Sequence, residues 1–123
     1  MDDKRTARLA VALREELSEI IGFEMSDPRV LGIDVTHVEV AQNGEHAMVQ
    51  IARHGKTDES ADPELHKALA ALDKASGFLR HELAARLDLR HVPELRFTAD
   101  RHPDTDERIE ILLKRANKSR GRA

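Results

Sequence analysis

Cysteine is absent from the 123-residue chain, which excludes disulfides and thiol chemistry and fits a reducing compartment. Tryptophan and tyrosine are absent too, so Phe23, Phe78 and Phe97 are the only large aromatic side chains. Modules that read single-stranded nucleic acid stack bases on such rings. All three phenylalanines sit in apolar sequence surroundings, so RNA binding by this chain is expected to rest on charge and shape. No apolar run approaches the roughly 20 residues that span a bilayer. The opening stretch MDDKRTARLAVALREEL is charged throughout and lacks the apolar centre of a secretory signal. These features predict a cytoplasmic protein. A Gly-rich phosphate loop and a nucleophile-elbow serine are also missing.

What is present is charge, at 35% of residues, with a net balance of −3. The distribution is uneven. The last ten residues, KRANKSRGRA, hold Lys114, Arg115, Lys118, Arg120 and Arg122 and no acid. Residues 1–113 then carry 15 basic against 23 acidic side chains, a balance of −8. A basic tail on an acidic body suits contact with nucleic acid, and it equally suits a solvated terminus. The length fits one compact domain, placed at 1–113, followed by a flexible basic tail at 114–123.

Periodicity predicts the elements. Leu9, Leu13, Leu17, Ile20 and Ile21 share one face of a helix over 4–23. SDPRVLG, residues 26–32, has loop chemistry. Two strands, 33–41 and 45–53, flank Asn43-Gly44, a strong hairpin signal. With that pair at the turn centre, Val40 faces Ala47, Val38 faces Val49 and Thr36 faces Ile51, while His37, Glu39, Met48 and Gln50 take the other face. Ile33 and Val35 break this parity, which predicts a bulge or bend near the strand start. Asp62-Pro63 predicts a helix start. RHVPELRFTAD, residues 90–100, predicts a third strand with Leu95, Phe97 and Ala99 on one side, and PDTDERIEILLKRANK a C-terminal helix. Three strands covered by helices on one face make an α+β two-layer sandwich.

Between these strands LHKALAALDKASGFLRHELAARL, residues 65–87, carries leucines at 65, 69, 72, 79, 83 and 87. They hold one helical phase, yet Gly77 interrupts the run at roughly 1 kcal/mol relative to alanine. The small residues Ala75, Ser76 and Gly77 predict a bend there, with Gly77 taking a positive φ or admitting a close backbone approach. A kink that wraps the sheet and a phosphate contact on exposed amides both fit.

The element order resembles a type II KH domain, in which a G-x-x-G loop ordinarily clamps the nucleic-acid backbone. Here an Ala-x-Gly junction stands in its place, as in the ribosome-binding factor A family. DPRV at 27–30, THVEV at 36–40, ALDKASGFLRHELAARLDLRHVPELRF at 71–97, Asp100 and ERIEILL at 107–113 carry the likeness together. The resemblance implies a KH type II-like sandwich, α-β-β-α-(kink)-α-β with an extra C-terminal helix and a three-stranded mixed sheet. It implies a third strand parallel to the first. It further implies a monomeric, non-enzymatic factor without cofactor that binds 16S rRNA on the small (30S) ribosomal subunit. Such a factor promotes late maturation, including processing of the 16S rRNA 5′ end, and is needed above all in the cold.

The candidate RNA-binding residues are Arg5, Arg8 and Arg29 near the start and Lys74, Ala75, Ser76, Gly77 and Arg80 around the junction. Arg86, Arg90, Lys114, Arg115 and Lys118 follow. Each arginine has an ordinary alternative as a partner in helix ion pairs. The seven histidines give no metal motif: HELAA, residues 81–85, has Ala85 where a zinc-protease helix needs its second histidine. The competing reading is a KH-like protein-interaction adaptor without direct RNA contact, which the acidic body supports.

Overall fold

A computed structural model describes residues 3–53 and 62–100. Helix α1 (Asp3–Glu19) buries Leu13 and Leu17 completely, with Leu9 half-buried. It widens into a π-helical turn over Ile20–Glu24, closed by the bond from Met25 N–H to the Ile20 carbonyl at 2.9 Å. The wider turn buries the adjacent Ile20 and Ile21 and leaves Phe23 outside. Asp27 then accepts from the Arg29 N–H, Pro28 opens a short 3₁₀ turn, and Gly32 turns the chain at φ 74°.

Strands β1 (Ile33–Val40) and β2 (His46–Arg53) pair antiparallel, with Val40 opposite Ala47 and Val38 opposite Val49 as expected. The bulge falls at Thr36, so Val35, and not Thr36, faces Ile51. The extra residue restores the parity of Ile33 and Val35, and both side chains are buried. The Thr36 hydroxyl donates to the Gln50 carbonyl at 3.2 Å, satisfying an acceptor that the bulge displaces. The turn also sits one residue earlier than expected. Gly44 N–H bonds the Ala41 carbonyl at 2.8 Å, which makes Gln42 and Asn43 the central pair. Gly44 follows at φ 75°, and the Asn43 side chain accepts from the Glu45 N–H.

The Asp62 side chain caps helix α2 (Pro63–Lys74) by accepting from the Glu64 N–H at 3.1 Å, with Pro63 at the first position. Helix α3 (Ser76–Leu87) follows after a break at Ala75, whose φ of −86° and ψ of 1° leave the helical region. The break therefore lies at Ala75 and not at Gly77. Gly77 has no positive φ: it lies inside the first turn of α3. A straight helix over both segments would run ~36 Å, whereas an eight-residue strand spans ~27 Å. The break keeps both halves on the sheet: α2 packs against strand β3 (Glu94–Ala99) and the 3₁₀ turn, and α3 against α1 and β3. Leu65, Leu72, Leu79 and Leu83 are fully buried, with Leu69 and Leu87 packed at the margin.

The sheet order is β1-β2-β3, with β3 parallel to β2 through Ala47–Leu95, Val49–Phe97 and Ile51–Ala99. The third strand is therefore antiparallel to β1, opposite to the orientation that the resemblance implied. The reason is the crossover: two 12-residue helices carry the chain back to the start of β2, where it re-enters beside that strand. The whole is a KH type II-like α+β sandwich with a mixed three-stranded sheet and helices on one face. The expected C-terminal helix and the tail lie outside the described residues.

Candidate nucleic-acid interface

The junction between α2 and α3 lies at the protein surface. Lys74 and Gly77 are exposed, and Ala75 and Ser76 are half-buried. Ala75 stands at the N-cap of α3 without a side-chain cap. The opening N–H groups of a helix have no intrahelical acceptor and carry the positive end of its dipole. Beyond its chain neighbours and its own helix backbone, a Cβ placed on Gly77 meets no atom within 4 Å, so its freedom is toward solvent and not toward the core. Beside it, Phe78 is 50% exposed, and Phe23 on the π turn is 87% exposed. Two of the three phenylalanines thus stand on the surface, contrary to the sequence expectation. The signal was available for Phe78, which falls off the phase set by Leu72, Leu79 and Leu83. For Phe23 it was not, because the π turn shifts the phase.

The candidate arginines divide by what holds them. Arg80 Nη2 donates to the Val92 carbonyl at 2.8 Å, which ties the loop ahead of β3 to α3. Its Nε is buried without a hydrogen-bond partner. Arg90 is exposed two residues before that tie. Arg86 is a strut among three carboxylates: Glu24 at the end of the π turn, Glu16 of α1 at 3.5 Å, and Glu82 one turn back at 3.4 Å. The hydrogen bond with Glu24 raises the Arg86 pKa further above its ordinary value and lowers that of Glu24. Arg86 therefore pins α3 to the far end of α1.

Arg29 chelates Asp27 through Nε and Nη2, the shortest contact being 2.6 Å. The side-chain bond from Arg29, aided by its backbone N–H, holds the Asp27 carboxyl down at about 2. Arg5 and Arg8 lie exposed on α1, away from the junction in sequence, and Arg5 already makes an interaction within the protein. Lys114, Arg115 and Lys118 lie outside the described residues. Asp62 is 6% exposed; burial opposes its ionisation, but the Arg53 guanidinium at 2.8 Å and the backbone N–H groups of α2 outweigh that and lower its pKa. Among the described residues, no three His, Cys, Asp or Glu side chains converge as metal ligands, and no helix is long and apolar enough to cross a membrane.

An α-β-β-α-α-β sandwich whose two central helices meet at an Ala-x-Gly break, without a G-x-x-G loop, defines a variant KH-like domain. The comparisons narrow that class to one family. The model for ribosome-binding factor A matches residues 5–113, and the chain belongs to that family. A ribosome-binding factor A from Solibacter usitatus is 52% identical over 122 residues, covering 99% of this chain and 95% of the relative. The crystal structure of ribosome-binding factor A from Thermus thermophilus matches with a TM-score of 0.63 at 28% identity, covering 76% of this chain and 94% of that one. The Thermus thermophilus factor has also been fitted, as a homology model, into a cryo-EM map of its complex with the 30S subunit. That model matches at a TM-score of 0.56 and 28% identity, covering 81% of this chain and 96% of the other.

Proposed function

We propose that this protein binds the small ribosomal subunit late in its assembly, contacts 16S rRNA through the α2–α3 junction, and promotes maturation of the rRNA 5′ end. The observation that carries this reading is the uncapped, exposed start of α3, where Gly77 leaves the backbone open. Phosphate oxygens accept hydrogen bonds from such N–H groups. Lys74 supplies a charge beside them, Arg90 a second one past the Arg80 tie, and Phe78 a ring for a base. The basic tail at 114–123 adds affinity without sequence preference to a single domain at 1–113. The factor acts by binding and not by catalysis, as a cytoplasmic monomer most needed in the cold.

Filter binding of 16S rRNA against salt tests this reading. Affinity should fall steeply with salt, and Lys74→Ala should lower the slope of log K against log salt by about 1. The adaptor alternative draws on Arg29 and Arg86, whose charges are already taken up by carboxylates. It predicts binding to immature subunits that is indifferent to salt and to Lys74. Co-sedimentation with immature and mature subunits should show preference for the immature form.

A further inference from the structure

An open groove of about 510 Å³ runs between the first half of α1 and the outer edge of β1. It lies apart from the α2–α3 junction: none of residues 74–78 lines it. Its floor is strand backbone. Ala41 N–H bonds the His46 carbonyl at 2.9 Å, so the antiparallel alternation turns Glu39 and His37 toward β2 and Val38 and Val40 outward. Neither valine has a backbone bond outside the sheet among the described residues. Both residues are buried overall, at 5% and 8% exposure, and the alternation points their N–H and C=O groups, which take no part in the β1–β2 ladder, toward the groove. The opposite wall is made of small side chains, Thr6, Ala7 and Ala10, which leave room beside the edge.

Among the described residues the charge of the groove has one sign: Asp3 and Glu39 line it, His37 is the remaining titratable group, and no lysine or arginine does so. Gln42 holds one oxygen of Asp3 at 3.3 Å, which fixes that carboxylate at the mouth. A strand edge without main-chain partners is a template for a further strand, and main-chain bonds give such additions their affinity. We infer that this groove receives an extended basic segment of a partner protein, added to β1 as a fourth strand. Its backbone pairs with Val38 and Val40, and its lysines or arginines meet Asp3 and Glu39. This surface goes beyond the RNA reading and stands whether or not the junction binds RNA.

The test uses the full-length, isotope-labelled chain and a ten-residue peptide of alternating lysine and valine, followed by NMR. Expected are shifts of the Val38 and Val40 amides and weakening with salt. Methylating alternate peptide nitrogens leaves its charge unchanged and removes the edge bonds. It should weaken binding at least about tenfold. Ala7→Trp, which fills the groove from an exposed helix position, should abolish the shifts without lowering the melting temperature. Equal affinity of the methylated peptide, or shifts confined to other elements, would overturn the inference. So would valine signals that move, without peptide, on deletion of 114–123 or with protein concentration, since the tail or a second copy would then be the occupant. Displacement of the peptide from these amides by an RNA oligonucleotide would assign the edge to RNA instead.

Discussion

Gly77→Ala should make the free protein more stable and a poorer ligand for the subunit. Gly77 is exposed in the first turn of α3, has no positive φ, and an added Cβ there meets no atom within 4 Å outside its own helix backbone and chain neighbours. Alanine there removes the entropy that glycine loses on folding, worth about 0.5–1 kcal/mol at a first-turn position. For a domain of this size that is a rise of roughly 2–8 °C in melting temperature. The same methyl stands where a phosphate would approach the amides. Losing one hydrogen bond to a charged group costs roughly 1.5–3 kcal/mol, or about tenfold to a hundredfold in affinity. Thermal unfolding and co-sedimentation with immature small subunits, on one preparation of the variant, give both numbers. A lower melting temperature would refute the assignment of ordinary helical backbone to Gly77. A more stable variant that binds as well as the parent would refute the junction as a contact.

Other perturbations probe the frame. Leu83→Ala removes a fully buried side chain where α3 meets the core and should cost about 2–5 kcal/mol by denaturant titration. Arg86→Ala should lower the melting temperature and return the Glu24 carboxyl toward its ordinary range, read by NMR titration; Arg86→Lys, with no planar fork, should rescue it only in part. The Asp27–Arg29 clasp predicts an acid dependence. The folded pKa is depressed to about 2 from 3.8, so the contribution is complete above pH ~4 and is lost as pH falls toward 2. Asp27→Asn should flatten the melting-temperature profile in that window and leave the neutral range parallel to the parent.

The hairpin was readable because two local signals agreed: apolar alternation along both strands, and an Asn-Gly turn. Even there the turn moved by one residue, since Gly44 serves as the left-handed residue after the turn and not as half of its centre. The parity conflict at Ile33 and Val35 announced a bulge, but only the Gln50 carbonyl, on the other strand, decides that Thr36 is the bulged residue. The helix break was announced by a glycine and made by an alanine. No propensity of Ala75 demands it; the cause is the length of the helix against the length of the sheet, a property of the assembled fold. Arg86 illustrates the same limit in the interface. Glu82 one turn back is a local signal for a helix pair, but the partners that make Arg86 a strut, Glu16 and Glu24, lie 70 and 62 residues away. The orientation of β3, taken from resemblance, came out reversed because it is set by the direction of the crossover, which returns the chain to the start of β2 and so makes β3 run with β2 and against β1.

That crossover also sets the order in which the molecule can assemble. The hairpin closes over a few residues and can form early, but the central strand gains its second neighbour only when residues 94–99 arrive. Until then Ala47, Val49 and Ile51 belong to an apolar strand with one side unpaired. Pairings across such sequence separations are slow to close, because chain entropy is lost before contacts repay it. An unpaired strand edge is meanwhile open to association with other chains. During synthesis the N-terminal half therefore waits, incomplete, for the last strand. The nascent chain is most exposed to aggregation in the interval between β2 and β3, and a truncation that removes β3 would leave the hairpin sticky rather than simply shortened.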